Sequence, residues 1–303
     1  MHIADDPNAL VRELENFQDI ARNILPQPGE VPRLPGIDVW GGSRQLSGSV
    51  GGDHIIYVDF KQRFDLDARI RRAREQGKSE VAANLERCQS LAGIALVDVA
   101  GHRMTDALLA AMLHQAFLLG ALYELDKNGQ ITRHLFENLN TRFYQSSGTN
   151  KFLSLIYGEI SADARFRFVS AAHPFPLIFS QRHDRFVEVG SNQRVSFPPL
   201  GMLPSFDAID RNTTGTSSLG FKEHYEMNEW WIMGAGDILL LHTDGLSEHR
   251  RGEDDYVPHA LERCLREVKD RDARGIYDAI MEDAVRFAPP TDDVSLVVVK
   301  LHG

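Results

Sequence analysis

An α+β fold is predicted by three observations. Short apolar runs with strand character recur at residues 54–60, 93–99, 152–160, 166–172, 230–233, 237–243 and 294–301. Some are joined by polar turns, as in FLSLIYGEISADARFRFVSAA, which is a hairpin pattern and therefore antiparallel sheet. The helical patterns fall in blocks of their own, which argues against a doubly wound parallel sheet.

The elements follow in order. Residues 1–30 read as an N-terminal regulatory helix with a linker, and residues 31–303 as one larger domain. Asp6 is placed to cap the first helix and Pro7 to occupy its first position. Leu10, Leu14, Phe17, Ala21 and Ile24 then recur at spacings of 4, 3, 4 and 3, a seam over two heptads. The seam fits a homodimer contact and a packing face on its own domain equally well. Pro26 and Pro28 stop the helix, and QPGEVPRLPG is a stiff linker. The strand at 54–60 leads into a charged helical insertion at 61–90, with a break at Gly77. After the strand at 93–99, residues 104–124 are apolar nearly all round and are expected to be a buried helix. The hairpin at 152–172 follows. Residues 205–222, rich in Thr, Ser and Gly, read as a mobile surface loop. Strands at 230–233 and 237–243, one or two amphipathic helices within 257–287 and a strand at 294–301 complete the chain.

Composition narrows the function. The 303 residues, 43% hydrophobic and 25% charged, suffice for a core without disulfides. Lys and Arg number 33 against 43 Asp and Glu, a formal charge of −10, which disfavours nucleic acid as a partner. Cys88 and Cys264 form no CxxC pair, which is cytosolic usage. The first ten residues lack the basic-then-apolar pattern of a secretion signal, and no apolar run is read as reaching the ~20 residues that span a bilayer. A cytoplasmic protein with no membrane partner is expected.

The chemistry is positional. Asp53, Asp98, Asp244, and the pair Asp292 and Asp293 all sit at the ends of apolar runs. Brought together, such carboxylates repel, and one or two divalent cations would offset the charge. Oxygen-only ligands select hard ions such as Mg²⁺ or Mn²⁺. His54, His102 and His242 lie nearby, but strand alternation turns His54 away from Asp53 and no HxxxH or HExxH spacing exists, so these histidines read as support or packing.

Taken together, Gly51-Gly52-Asp53, Asp98-Val-Ala-Gly101-His102, Ala172-His173-Pro174, Gly236-Asp237 through Thr243-Asp244-Gly245 to Glu248, and Asp292-Asp293-Val-Ser-Leu resemble the metal-dependent protein phosphatase (PPM) superfamily. Within it the chain looks like the bacterial SpoIIE-like serine/threonine phosphatase branch, from about residue 10 to the C-terminus. Two motifs depart from the branch: Ile56 stands where a second Asp is usual, with Asp59 three residues late, and Arg103 replaces the last glycine of GHG.

The resemblance implies a four-layer αββα sandwich of two antiparallel sheets flanked by helices. It also implies two Mn²⁺ or Mg²⁺ ions per active site, with a metal-activated water attacking phosphorus in line. Asp98 and the Val99 backbone carbonyl, Asp53, Asp244 and Asp292 would hold the ions. Asp293 would be a ligand or a turn cap. Gly52, Gly101, His102, Gly245 and Glu248 would support the site. His173 would be a general acid or a structural hydrogen-bonding group. Arg103 would contact substrate phosphate or form a surface ion pair. The implied substrate is a phosphorylated STAS-type anti-sigma-factor antagonist in a bacterial stress or sporulation circuit. The competing readings are a pseudophosphatase acting as a regulatory binding module, and a hydrolase of small phosphoesters.

Overall fold

In a computed structural model of the chain, the described residues are 12, 13, 15, 16, 18–20, 23, 31–46, 51–100, 104–146, 152–205, 220–231 and 234–302. Two five-stranded antiparallel sheets face each other. The first runs in the order β1 (Ile37–Arg44), β12 (Val294–Leu301), β9 (Ile238–His242), β6 (Leu177–Ser180), β7 (Arg185–Phe186). The second runs β2 (His54–Asp59), β3 (Leu91–Val99), β4 (Leu153–Ser161), β5 (Phe166–Ala171), β8 (Asn228–Trp230). A short ribbon, β10 (Arg250–Arg251) with β11 (Asp254–Asp255), stands apart.

Strand alternation sorts the apolar side chains into layers. Ile55 and Tyr57 of β2 pack with Ile94 and Leu96 of β3 against Leu239, Leu241, Val297 and Val299 of the opposite sheet. Ile56 and Val58, facing the other way, pack beneath the helices of the outer layer. That layer holds α1 (Phe60–Arg63), α2 (Leu66–Glu75), α3 (Ser79–Cys88), α4 (Met104–Asn128) and α5 (Arg133–Ser146). A single turn, α6 (Asp244–Ser247), follows β9, and the far outer layer holds α7 (Leu261–Val268) and α8 (Ala273–Phe287). Leu261, Leu265, Ile276 and Ile280 there cover Leu240 and Val298. The expected αββα sandwich is present.

The insertion at 61–90 forms α1 to α3. Asp59 Oδ1 caps α1 by accepting from the Gln62 amide at 3.0 Å, and Asp65 Oδ1 caps α2 by accepting from the Ala68 amide at 2.9 Å. Gly77, at φ +70°, turns the chain into α3.

Several expectations need correction. Helix α4 is buried on one face only: Leu113, Phe117, Ala121 and Leu125 are sealed, while Leu108, Met112, Leu119 and Tyr123 are 48–66% exposed. It lies in the outermost layer, with the sheet on one side and α3 and α5 beside it. Its segment Asp106–Asn128 contains an 18-residue window of mean hydropathy 1.5 and is long and apolar enough by composition to cross a membrane, contrary to the reading that no run qualifies. The strand predicted at 230–233 is instead Asn228–Trp230, and Trp231 beyond it is exposed. Strands β1, β6 and β7 have no counterpart in the sequence reading. The seam positions Leu10, Leu14, Phe17, Ala21 and Ile24, residues 206–219 of the polar loop, and Gly101, His102 and Arg103 lie outside the described residues.

Candidate active site

Five elements deliver carboxylates to one end of the sandwich. Asp53 precedes β2, Asp98 is the penultimate residue of β3, Asp244 opens α6 directly after β9, and Asp292 and Asp293 precede β12. Because β3 runs antiparallel to β2 and β12 antiparallel to β9, these strand ends coincide. Asp53 and Asp98 share the alternation of Ile55 and Leu96 and therefore face the gap between the sheets.

Asp53 is buried, and its Oδ2 accepts a 2.7 Å hydrogen bond from the Thr243 hydroxyl. Thr243 Oγ1 in turn accepts from the Ser295 amide at 3.0 Å, and the Thr243 amide donates to the Ser295 carbonyl at 3.1 Å. Burial raises the Asp53 pKa well above the usual carboxylate range; Asp98 and Asp293 add to this, and hydrogen bonds from Thr243 and Ser295 oppose it. Asp98 is pushed up to about 7, by burial first and then by the charges of Asp244, Asp292, Asp293 and Asp106. Asp244 is raised by burial, Asp292 and Glu248. The largest charges acting on Asp98 are negative, a setting that favours a bound cation. As placed, no three histidine, cysteine or acidic side chains among the described residues are drawn into a closed cage. A facing set of oxygen donors suits hard divalent ions.

The paired aspartates differ in what they touch. Asp293 is buried; its Oδ1 accepts from the Leu46 amide at 2.7 Å and its Oδ2 from the Gly52 amide at 2.9 Å. It ties the loop before β2 to the start of β12. A Cβ at Gly51 would overlap its carboxylate, and one at Gly245 would overlap its carbonyl oxygen, so both glycines serve close approach. Asp292 is exposed, with Oδ1 accepting only from the adjacent Asp293 amide at 2.8 Å. That contact leaves its second oxygen for a ligand.

The remaining predicted residues are placed as follows. The Val99 amide donates to the Gly52 carbonyl at 3.3 Å, joining the two motifs. His173 Nδ1 pairs with Ser154 Oγ at 2.8 Å, and Ser154 lies directly opposite Asp98 across β3 and β4. Burial and His242 lower the His173 pKa to about 3, so at neutral pH the ring carries no extra proton to donate. The Glu248 amide donates to the Asp244 carbonyl at 2.7 Å, while its carboxylate is exposed. Asp59 and Asp237 are at the far end: Asp59 caps α1, and Asp237 accepts from the Gln181 and Gly234 amides at 2.9 and 2.7 Å. His54 faces α4, where its Nε2 meets His114 Nδ1 at 2.6 Å. Sequence reasoning missed Asp106, fully buried in the first turn of α4, and the bridging role of Thr243. The available signals were an acid just inside a helix start and a hydroxyl directly before Asp244.

Comparison with known proteins was made against this geometry. Residues 90–302 match the family described as stage II sporulation protein E (SpoIIE). No curated protein matches the sequence. Among solved structures, the SiaA-PP2C domain of Pseudomonas aeruginosa is similar at 14% identity and TM-score 0.62, over 97% of this chain and 98% of that one. The RsbU and RsbW domains of a Mycobacterium tuberculosis protein are similar at 19% identity and TM-score 0.60, over 90% of this chain. The PP2C phosphatase domain with a regulatory fragment of SpoIIE from Bacillus subtilis is similar at 17% identity and TM-score 0.57, over 88% of this chain. This chain spans 62% and 64% of the last two structures. At these identities the likenesses establish the fold.

Proposed function

Because the chain belongs to the SpoIIE family of PPM-type phosphatases, we propose that it is a metal-dependent protein serine/threonine phosphatase. The observation that carries the reading is Asp98, held at the mouth between the sheets with the acids Asp244, Asp292 and Asp293 as the largest charges acting on it. Asp98, the Val99 carbonyl, Asp53, Asp244 and Asp292 would hold two Mn²⁺ or Mg²⁺ ions. Bound there, the ions would supply an acidified water as nucleophile and positive charge to offset the phosphoryl oxygens. The chain's own residues do the rest. Thr243 orients Asp53 and favours its ionised form. Asp293 fixes the backbone at Gly52 and so the approach of Asp53. The neutral His173 ring braces Ser154 behind Asp98.

The proposed substrate is a phosphoserine or phosphothreonine on a STAS-type anti-sigma-factor antagonist, in a bacterial stress or sporulation circuit. A cytoplasmic setting belongs to the same proposal, supported by two buried free thiols, Cys88 and Cys264. So does homodimerisation through the N-terminal seam.

The test is phosphate release from a phosphoserine protein with Mn²⁺, with Mg²⁺ and after metal removal, for wild type and Asp98→Asn. Metal-dependent turnover lost in the variant supports the reading. No turnover with either metal, in a protein shown to be folded, overturns it in favour of the pseudophosphatase. A kcat/KM higher for p-nitrophenyl phosphate than for the phosphoprotein would point instead to small phosphoesters.

A further inference from the structure

A cleft of about 480 Å³ opens at the opposite end of the sandwich from the carboxylates. It lies between the last turn of α3, the start of β3 and the β4–β5 hairpin. Strand β3 runs from Leu91 at this cleft to Asp98 at the candidate active site, roughly 23 Å at strand rise. Three guanidinium groups line the cleft, those of Arg87, Arg165 and Arg167, against the carboxylates of Glu159 and Asp163. The lining carries an excess of one positive charge in a chain of net charge −10.

The acids in the lining are already engaged. Glu159 is buried and accepts from the Tyr157 hydroxyl at 2.9 Å and from Arg167 at 2.8 Å. Asp163 stands on the exposed rim and accepts from the Ser161 hydroxyl. Arg167 is fixed by Glu159 and by the Ile131 carbonyl at 3.1 Å, and Arg165 by a two-point contact with Glu229 at 2.8 Å. Arg87 differs: its side-chain partner is the neutral Asn84 Oδ1, with no carboxylate partner among the described residues. Its fork is therefore charged and largely uncommitted, beside two guanidiniums already held in place. Ser90 and Gln130 add neutral hydrogen-bonding groups to the wall. Burial keeps the Cys88 thiol at the floor protonated, with its pKa pushed up to about 12, so the floor adds no negative charge.

We propose that this cleft binds a small metabolite carrying an oxyanion, phosphate or carboxylate, gripped by Arg87 and faced by Arg165 and Arg167. Planar forks recognise such groups by paired charge-assisted hydrogen bonds. The volume falls in the range of small-molecule sites, and the concavity favours a metabolite over an extended acidic peptide. The site is separate from the phosphatase reading and does not depend on it.

The test is calorimetric titration of the full chain, stripped of metal on a chelating resin so that the carboxylate site cannot retain an anion. The probes are inorganic phosphate, citrate and adenosine 5′-monophosphate at matched ionic strength. Saturable binding of at least one probe is expected. It should weaken by about tenfold or more in Arg87→Ala, disappear in Arg87→Glu and persist in Asp98→Asn. Binding of phosphate and the nucleotide without citrate assigns a phosphorylated ligand; citrate alone assigns a carboxylate one. Because Arg87 is exposed, both variants should keep the wild-type melting temperature. No saturable binding of any probe, equal binding by Arg87→Glu, or loss in Asp98→Asn with retention in Arg87→Ala would each overturn the proposal.

Discussion

The Thr243 hydroxyl, at the end of one sheet, donates a 2.7 Å hydrogen bond to the buried Asp53 carboxylate at the head of the other. It is a direct polar link between the halves of the candidate site, and it opposes the burial that drives Asp53 towards its protonated form. Thr243→Val should cost about 1.5–3 kcal/mol, since it removes a hydrogen bond to a charged group and deprives the Ser295 amide of its acceptor. It should also weaken Mn²⁺ binding, because losing this hydrogen bond favours the protonated form of Asp53. Thr243→Ser should restore both. Urea denaturation and calorimetric Mn²⁺ titration read the two effects.

Asp98 predicts how metal-free stability depends on pH. Its folded pKa, about 7, lies above the ordinary carboxylate value of 3.8. Between those values the folded chain holds a proton that the unfolded chain has released, so this group makes stability fall as pH rises from about 4 to 7. The effect levels off above 7. Thermal melts of the metal-free protein should show this fall, Asp98→Asn should flatten it, and Mn²⁺ should reverse it in wild type only.

Asp292 and Asp293 are adjacent, but their predicted losses differ in kind. Asp293 holds the Leu46 and Gly52 amides, so Asp293→Ala leaves two backbone donors without their acceptor and should cost about 2–4 kcal/mol. Asp292→Asn should leave stability within about 0.5 kcal/mol, because its side chain is exposed, yet abolish Mn²⁺-dependent turnover. Equal melting temperatures for the two variants would contradict this division.

That division could not be read from the sequence, because it depends on which way the main chain turns before β12. The carboxylate positions themselves were legible, since an acid flanking a buried apolar run leaves a signal at one residue. Asp106 left only an ambiguous one: an acid in the first turn of a helix is ordinary capping chemistry. Strand β1 was hidden for a different reason. Its sequence IDVWGGSR carries Gly41 and Gly42 and holds no apolar run, whereas its strand character comes from eight residues paired along β12. Gly41 is required there because a Cβ would overlap the Tyr57 hydroxyl and the Leu296 carbonyl. The half-exposure of α4 was equally invisible, since an apolar helix does not disclose which side its neighbours cover.

The His54–His114 pair ties β2 to α4 one residue from Asp53. Both rings are held neutral: burial lowers His54 to about 3 and His114 to about 4, with His114 adding to the first shift and Arg63 to the second. His114→Leu would leave the buried His54 nitrogen without a partner and should cost about 1–3 kcal/mol. The double variant His54→Leu/His114→Leu removes both polar groups and should recover most of that loss, a coupling of about 0.5–3 kcal/mol in a double-mutant cycle. The pH dependence is opposite in sign to that of Asp98. Below about 6.5 the unfolded chain takes up protons that the folded rings refuse, so stability falls as pH drops through 6.5 towards 3. Chemical denaturation at pH 7.5 and pH 5 should show the double variant gaining stability relative to wild type on acidification, whatever the other groups contribute to both. The same pH response in both would mean that these rings titrate freely in the folded chain.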